Sequence, residues 1–399
     1  MAAMTDRRRA SAAVAVLRAV HRQPGIERAA VARRLSLTSG LITETVARLS
    51  SLNLLSEHPA PRTGARGRPT TTLGPHPRGP LVIAVVIGHE RWRIAVAQLG
   101  GTELARTERH HRRDSDEVLA VLAAQLRSLR RRHGLRIRAV AVSVPGTVRD
   151  NRLAEAANLG WSDVDLSMLW PSDRGARPFL AGNDATFAAV AEARRGAAAG
   201  ATSLVHLFME AGLGGAVIED GRLVLGALGT AGEFGHMPFG DPAQPCRCGA
   251  RGCWNTAIEG AAIARLLNQP PPADEVSYSR QVFAAARARL VPGAPPPAEF
   301  TAVQAVARSV GSGAAGLANA LDPGVITLGG LGRDLLDIAG DQVYPAYLAG
   351  LMTFRRASPP PLLPARFGDD APLVGALEEA FSAMLTDEGL RAWSSARRP

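Results

Sequence analysis

Hydrophobic positions change their period along this chain. Through the first 55 residues they recur every three to four positions, which predicts short helices. Val14, Leu17 and Val20 form one stripe of a helix read over 9–22, and Pro24-Gly25 stops it. Ile26, Ala30, Val31 and Leu35 mark a second short helix. Leu41, Ile42, Val46 and Leu49 mark a third, over Ser39 to Ser50. Ser36-Leu37-Thr38 makes the turn between them, with Thr38 placed as an N-cap. Leu52-Asn53-Leu54-Leu55 then leads into a wing whose tip, Arg62-Thr63-Gly64-Ala65-Arg66-Gly67-Arg68-Pro69, joins flexibility to three cations.

From Leu81 the pattern becomes short apolar runs alternating with helical stretches. Leu81 to Gly88, Arg93 to Leu99, Thr102 to Thr107 and Arg138 to Gly146 read as strands, and Asp116 to His133 as a helix. A short strand over 178–182 leads into Asn183-Asp184 and a helix from Ala185 to Arg195. Ser203 to Met209, Ala216 to Glu219 and Arg222 to Val224 are further strands. Helices follow near 256–267, 278–289 and 301–321, then a buried strand from Gly324 to Leu328 that opens onto Gly329-Gly330. Strands alternating with helices predict an α/β body, long enough for two lobes. The end of the chain from Thr386 reads as a partly frayed tail.

Charge divides the chain at the same place as the period. Residues 1–80 hold thirteen arginines against Asp6, Glu27, Glu44 and Glu57, so they carry +9 of the chain's +10. All 46 basic residues are Arg. A basic helix-turn-helix with a wing, joined to a near-neutral body, is the footprint of a double-stranded DNA reader on a sensor or enzyme. The third helix would enter the major groove and present Ser39, Thr43, Glu44 and Arg48, while Arg66 and Arg68 of the wing would reach phosphates or the minor groove. The alternative for this module is a small helical domain for protein contacts.

The densest chemistry lies between 232 and 253. His236 is followed by nine residues and then Cys246-Arg247-Cys248-Gly249-Ala250-Arg251-Gly252-Cys253, which holds all three cysteines of the protein. One His and three Cys at this spacing suit a closed tetrahedral zinc site with His236, Cys246, Cys248 and Cys253 as ligands. Glycines at 249 and 252 would let the backbone fold the sulfurs onto one ion. A metal holding His236 would also position Glu233, three residues earlier. An odd cysteine count spent on one metal site points to a reducing, cytoplasmic setting. No leader segment and no run long enough to span a membrane is read from the sequence.

These residues resemble the ROK family (repressors, open reading frames and sugar kinases). The likeness rests on Glu233-Phe234-Gly235-His236 with Cys-x-Cys-Gly-x-x-Gly-Cys. It extends to Val144-Pro145-Gly146, Asn158-Leu159-Gly160-Trp161, Gly182-Asn183-Asp184-Ala185 and Leu321-Asp322-Pro323 before Leu328-Gly329-Gly330. The resemblance implies an N-terminal winged helix (1–75) and an actin-like, ribonuclease-H-like body (76–399). The first lobe of that body would span about 80–182 plus the C-terminal helix, and the second about 183–370, with a sugar cleft between them. It also implies a structural zinc and a sugar site built from Asn183, Asp184, Glu233, His236 and Asn255, with Asp184 at the position of the kinases' general base.

The phosphate machinery departs from that pattern. Where the kinases of the family carry Asp-x-Gly-Gly-Thr-Lys, this chain has Val86-Ile87-Gly88-His89-Glu90-Arg91-Trp92. Where they carry Gly-Thr-Gly-x-Gly, it has Glu210-Ala211-Gly212-Leu213-Gly214. Phosphoryl transfer depends on neutralising phosphate charge, so Glu90 and Glu210 argue against ATP use and leave Asp184 a vestigial base. Asn255 stands where the kinases place a Glu, two residues after the last zinc cysteine. The expectation is a transcriptional regulator, read as a repressor and as a homodimer or homotetramer, whose body binds a sugar or sugar derivative. The alternatives are a repressor that answers to a partner protein and an ATP-dependent sugar kinase.

Overall fold

The structure, a computed structural model, describes residues 2–60, 71–157, 159–170, 177–288 and 296–396. The chain forms two compact units, one of Met1–Asn183 with Ala376–Pro399 and one of Asp184–Gly375.

The first unit opens with α1 (Ala2–Arg22), β1 (Ile26–Glu27), α2 (Arg28–Arg34), α3 (Ser39–Ser51), β2 (Leu55–Pro59) and β3 (Thr71–Pro75). Val16, Leu17, Val20, Val31, Val46 and Leu49 are fully buried, which gives the three helices one apolar centre. Thr38 caps α3, its Oγ1 accepting from the Leu41 amide at 3.3 Å. The strands pair antiparallel in the order β1-β3-β2, the sheet of a winged helix. Ile26, expected in the second helix, instead pairs with Leu73 at the start of that sheet. The wing-tip residues Arg62, Arg66 and Arg68 lie outside the described residues.

The unit continues through β4 (Leu81–Ile87), β5 (Arg91–Gln98), β6 (Glu103–His110), α4 (Ser115–His133), β7 (Ile137–Val144), β8 (Thr147–Arg149), β9 (Arg152–Ala156), β10 (Trp161–Asp165) and β11 (Phe179–Asn183). A five-stranded sheet runs β11-β7-β4-β5-β6. β4 is parallel to β7 and antiparallel to β5. Every residue of β4 and β7 is buried, as the unbroken apolar run of β4 and the largely apolar run of β7 suit strands covered on both faces. β8, β9 and β10 form a separate small sheet that the periodicity did not signal, because the strands are short and mix exposed polar residues with a few buried apolar ones.

The second unit holds α5 (Asp184–Arg195), β12 (Ser203–Met209), β13 (Leu213–Glu219), β14 (Arg222–Leu223), α6 (Asn255–Ile258), α7 (Gly260–Leu266), α8 (Glu275–Ala288), α9 (Ala298–Leu321), β15 (Val325–Gly330), α10 (Leu331–Gly350), α11 (Thr353–Arg356) and β16 (Leu362–Pro364). Its sheet runs β14-β13-β12-β15-β16, with β12 parallel to β15 and antiparallel to β13. The helix expected over 256–267 is two, α6 and α7. A side chain at Gly260 would collide with the Glu275 backbone, so the chain bends where that contact is made.

α12 (Ala371–Met384) begins in the second unit and ends in the first, and α13 (Asp387–Ser395) closes the described chain. α13 overturns the reading of a frayed tail. Thr386 caps it, accepting from the Gly389 amide at 3.0 Å, and Trp393 is buried with its indole Nε1 donating to the Leu52 carbonyl at 2.9 Å. A Thr-Asp-Glu start with one tryptophan carries too little periodicity to announce a docked helix. Among the described residues no helix is long and apolar enough to cross a membrane.

Candidate functional site

His236 ends a short turn, Phe234–His236, whose Phe234 and Gly235 are buried while His236 and Glu233 remain exposed. The cysteine loop closes on itself. The Cys246 amide donates to Ala250 O at 2.8 Å, the Gly249 amide to Cys246 O at 3.0 Å and the Gly252 amide to Gln244 O at 2.9 Å. Gly249 and Gly252 have φ of +91° and +70°, which other residues adopt only with strain. The fold thereby brings together the four predicted ligands, whose donor atoms all lie within 4.8 Å of one another. Cys246 Sγ is 3.7 Å from His236 Nδ1, and Cys248 Sγ is 3.6 Å from Cys253 Sγ. Around an ion with metal–sulfur bonds of about 2.3 Å, tetrahedral ligands stand about 3.8 Å apart. The cluster can therefore hold one metal ion with little rearrangement. Burial and the neighbouring sulfurs push the Cys253 thiol up to about 12, as expected where several thiolates would crowd without a cation.

The loop is anchored to the unit around it. Trp254, next to Cys253, is fully buried, and its indole donates to Ser309 Oγ on α9 at 3.1 Å. Arg247, between two ligands, pairs with the buried carboxylate of Glu275, whose other oxygen accepts from the Ala261 amide at 3.1 Å. No local pattern signals this pair, which joins positions 28 residues apart.

Asn183 ends β11 beside Val144 of β7, and its side-chain amide donates to Gly146 O at 3.0 Å. The Val144-Pro145-Gly146 turn and the Asn183 position are thus one structural feature. Asp184 starts α5 and accepts from the Ala185 amide at 2.8 Å. Burial, with a smaller push from the Glu233 carboxylate, raises Asp184 from the ordinary carboxylate range to about 6. The Glu233 carboxylate therefore lies near enough to Asp184 to repel it weakly.

Asn255 plays a part the sequence did not suggest. Its Oδ1 accepts from the Leu213 amide at 2.8 Å, which ties it to the loop at the second phosphate-loop position. A side chain at Gly235 would lie 2.3 Å from the same oxygen. Asn255 thus clamps the 210–214 loop against the turn that presents Glu233 and His236, and its carbonyl is occupied by backbone.

The stretch around Gly88 and His89 is hydrogen-bonded to the segment that follows β6. His111 Nε2 donates to Gly88 O at 3.0 Å, and its Nδ1 accepts from the Arg113 amide at 3.1 Å. Burial lowers the His111 pKa, consistent with this neutral ring. The Arg113 guanidinium donates to His89 Nε2 at 2.7 Å.

In the winged helix, Ser39, Thr43, Glu44 and Arg48 are exposed on α3, opposite the buried Ile42, Val46 and Leu49. Thr43 Oγ1 donates to Ser39 O at 2.8 Å, so this hydroxyl is partly spent on its own helix.

The profile of the ROK family matches residues 82–380. A glucokinase of Streptomyces coelicolor is 27% identical over 317 residues, 75% of this chain and 97% of that protein. The xylose repressor of Bacillus subtilis is 30% identical over 129 residues, 32% of this chain and 33% of the repressor. In three dimensions the chain resembles a crystal structure described as a ROK family transcriptional regulator, homolog of the E. coli MLC protein. The TM-score is 0.75 at 23% identity, covering 97% of this chain and 99% of that one. That likeness extends the shared fold to the N-terminal winged helix as well as the actin-like body. The chain belongs to the ROK family.

Proposed function

We propose that this protein is a DNA-binding transcriptional regulator whose ROK body takes up a sugar-like molecule and does not phosphorylate it. The observation that carries the reading is the pairing of a winged helix holding nearly all the net charge with a body whose two phosphate-loop positions carry Glu90 and Glu210. The neighbours named as a regulator and as a xylose repressor support the DNA-binding half, and the glucokinase supports the sugar.

On this reading α3 sits in the major groove, with Ser39, Thr43, Glu44 and Arg48 at the bases and phosphates and Arg66 and Arg68 of the wing adding backbone contacts. Asp184, Glu233 and His236 hold the sugar hydroxyls, with Asn183 adjacent in sequence to Asp184 and Asn255 offering its amide NH2. Carboxylates suit vicinal hydroxyls because each oxygen accepts from a separate O–H. Zinc is the ion at His236, Cys246, Cys248 and Cys253. Nδ1 of His236 faces the sulfurs, so metal binding there leaves Nε2 for the ligand. The protein works in the cytoplasm as a symmetric homo-oligomer, so that two winged helices meet two half-sites.

The enzymatic half of the claim is tested by incubating the protein with magnesium-ATP and a panel of hexoses, amino sugars and pentoses while following ADP. The expected outcome is no release above the sugar-free background. Turnover on any of them would overturn the assignment.

A further inference from the structure

α1 carries a histidine that the DNA-reading surface does not use. His21 is 5% exposed, and its Nε2 lies 3.1 and 3.2 Å from the two carboxylate oxygens of Glu378 on α12, itself 4% exposed. On the other side of the ring the Gly100 amide, in the turn between β5 and β6, donates to Nδ1 at 2.9 Å. An amide N–H aimed at Nδ1 requires its lone pair, so the ring proton sits on Nε2 and is given to the carboxylate. One side chain thus joins three segments: the winged helix, the strand pair of the body and the C-terminal helix. Phe381, on the same helix as Glu378, packs against the imidazole at 4.4 Å between centroids, with the rings tilted by 46°. The seam is extended by Arg18, which donates to Leu385 O at 2.9 Å, and by the bond from Trp393 to Leu52 O.

α12 has a second attachment. Ala371 packs with Ala185, Ala188 and Phe208, and a side chain at Gly375 would lie 1.7 Å from the Phe187 carbonyl, so helix and α5 backbone meet there. α5 is the helix that Asp184 starts. Gly375 and Glu378 are three residues apart, about one turn of the same helix.

We infer that the His21–Glu378–Gly100 junction is the joint that fixes the winged helix to α12 and to the β5–β6 turn, and so sets how the DNA-reading module is presented. A buried directional pair suits this task. An apolar contact could slide, whereas a His between one donor and one acceptor has a single seat, and loss of either partner leaves the other buried without it. The joint stands on geometry alone; its consequence for DNA rests on the regulator reading above. His21 and Glu378 are positioning residues and touch no base.

The test uses the full chain. Hydrogen exchange at the Gly100 amide reports the joint directly, because that N–H is one of its bonds. His21→Ala and Glu378→Ala are expected to speed exchange at Gly100 by about tenfold or more. His21→Gln, whose amide can both accept and donate, is expected to stay within about threefold of the parent. In parallel, affinity for a duplex from upstream of the protein's own gene is compared with that for an unrelated duplex. Glu378→Ala is expected to lower that ratio about tenfold while binding to the unrelated duplex changes less than about twofold. Unchanged protection at Gly100 in Glu378→Ala, or loss in His21→Gln equal to that in His21→Ala, would overturn the joint. A parent protein that fails to prefer the upstream duplex would sink the regulator reading at that DNA, while the exchange data would still decide the joint.

Discussion

Cys253→Ser is expected to strip the protein of its metal. Cys253 is the buried member of the cluster, at 1% exposure, and is flanked by Trp254, which is anchored to α9. A serine oxygen is a harder and far less acidic ligand than a thiolate, and three ligands cannot close a tetrahedral structural site. Loss of partners that merely orient a ligand weakens metal affinity by about 10–100-fold, so loss of the ligand itself should exceed a hundredfold. Elemental analysis after dialysis against a chelator should find one zinc per parent chain and essentially none in the variant. Chelation should lower the parent's thermal midpoint and leave the variant's unchanged, because metal binding is part of this segment's folding energy. Weakened DNA binding should accompany the loss, since a metal held by His236 would fix the turn that presents Glu233 and His236. A full equivalent of zinc in the variant would remove the basis of the site.

Asp184→Asn is expected to make the protein more stable, with a pH dependence whose sign is fixed. The folded Asp184 is raised to about 6, first by burial and then by Glu233, above its ordinary value of 3.8. Below about pH 4 the carboxyl is protonated in both the folded and unfolded chain, and the substitution should be nearly neutral. As pH rises through the window from about 4 to 6, the unfolded chain ionises freely while the folded chain resists. The folded chain therefore holds more protons than the unfolded one in this window, and the parent loses stability as pH rises. Above pH 6 the cost levels off at up to about 3 kcal/mol, which is the size of the shift converted at 1.36 kcal/mol per unit. Denaturant midpoints of both proteins at pH 4 and pH 7.5 check this. A gap that opens at the higher pH in favour of the asparagine is the expected result, and equal midpoints at both would contradict it. A carboxylate kept at such a cost is what a polar ligand site demands.

The parts legible in the sequence are those written in local pattern. Thr38, the Leu41-Ile42-Val46-Leu49 stripe and the apolar run 81–87 each carry enough periodicity to place α3 and β4 unaided. The cluster of His236 with the three cysteines was equally legible, because the cysteines lie within eight residues and Gly249 and Gly252 adopt the φ expected of them. Three features were not. The sheet of β8 to β10 is built from short polar strands, and α13 is held by one tryptophan bonded to a carbonyl 341 positions away. The junction of His21 with Glu378 joins residues 357 apart, neither of which stands in a motif. Asn255 stands out in the sequence as a candidate ligand residue, but its clamp does not, since its bond to Leu213 exists only once β13 and α6 have met.

The central claim is that this ROK protein reads DNA and answers to a sugar. Fluorescence anisotropy with DNA from upstream of its own gene, over a salt series and with a panel of sugars, tests it most directly. The account predicts tight binding that weakens steeply as salt rises, since thirteen arginines lie in the first 80 residues, and a shift in affinity with one of the sugars. Anisotropy that stays flat at about 50 mM salt, with and without every sugar, would contradict it.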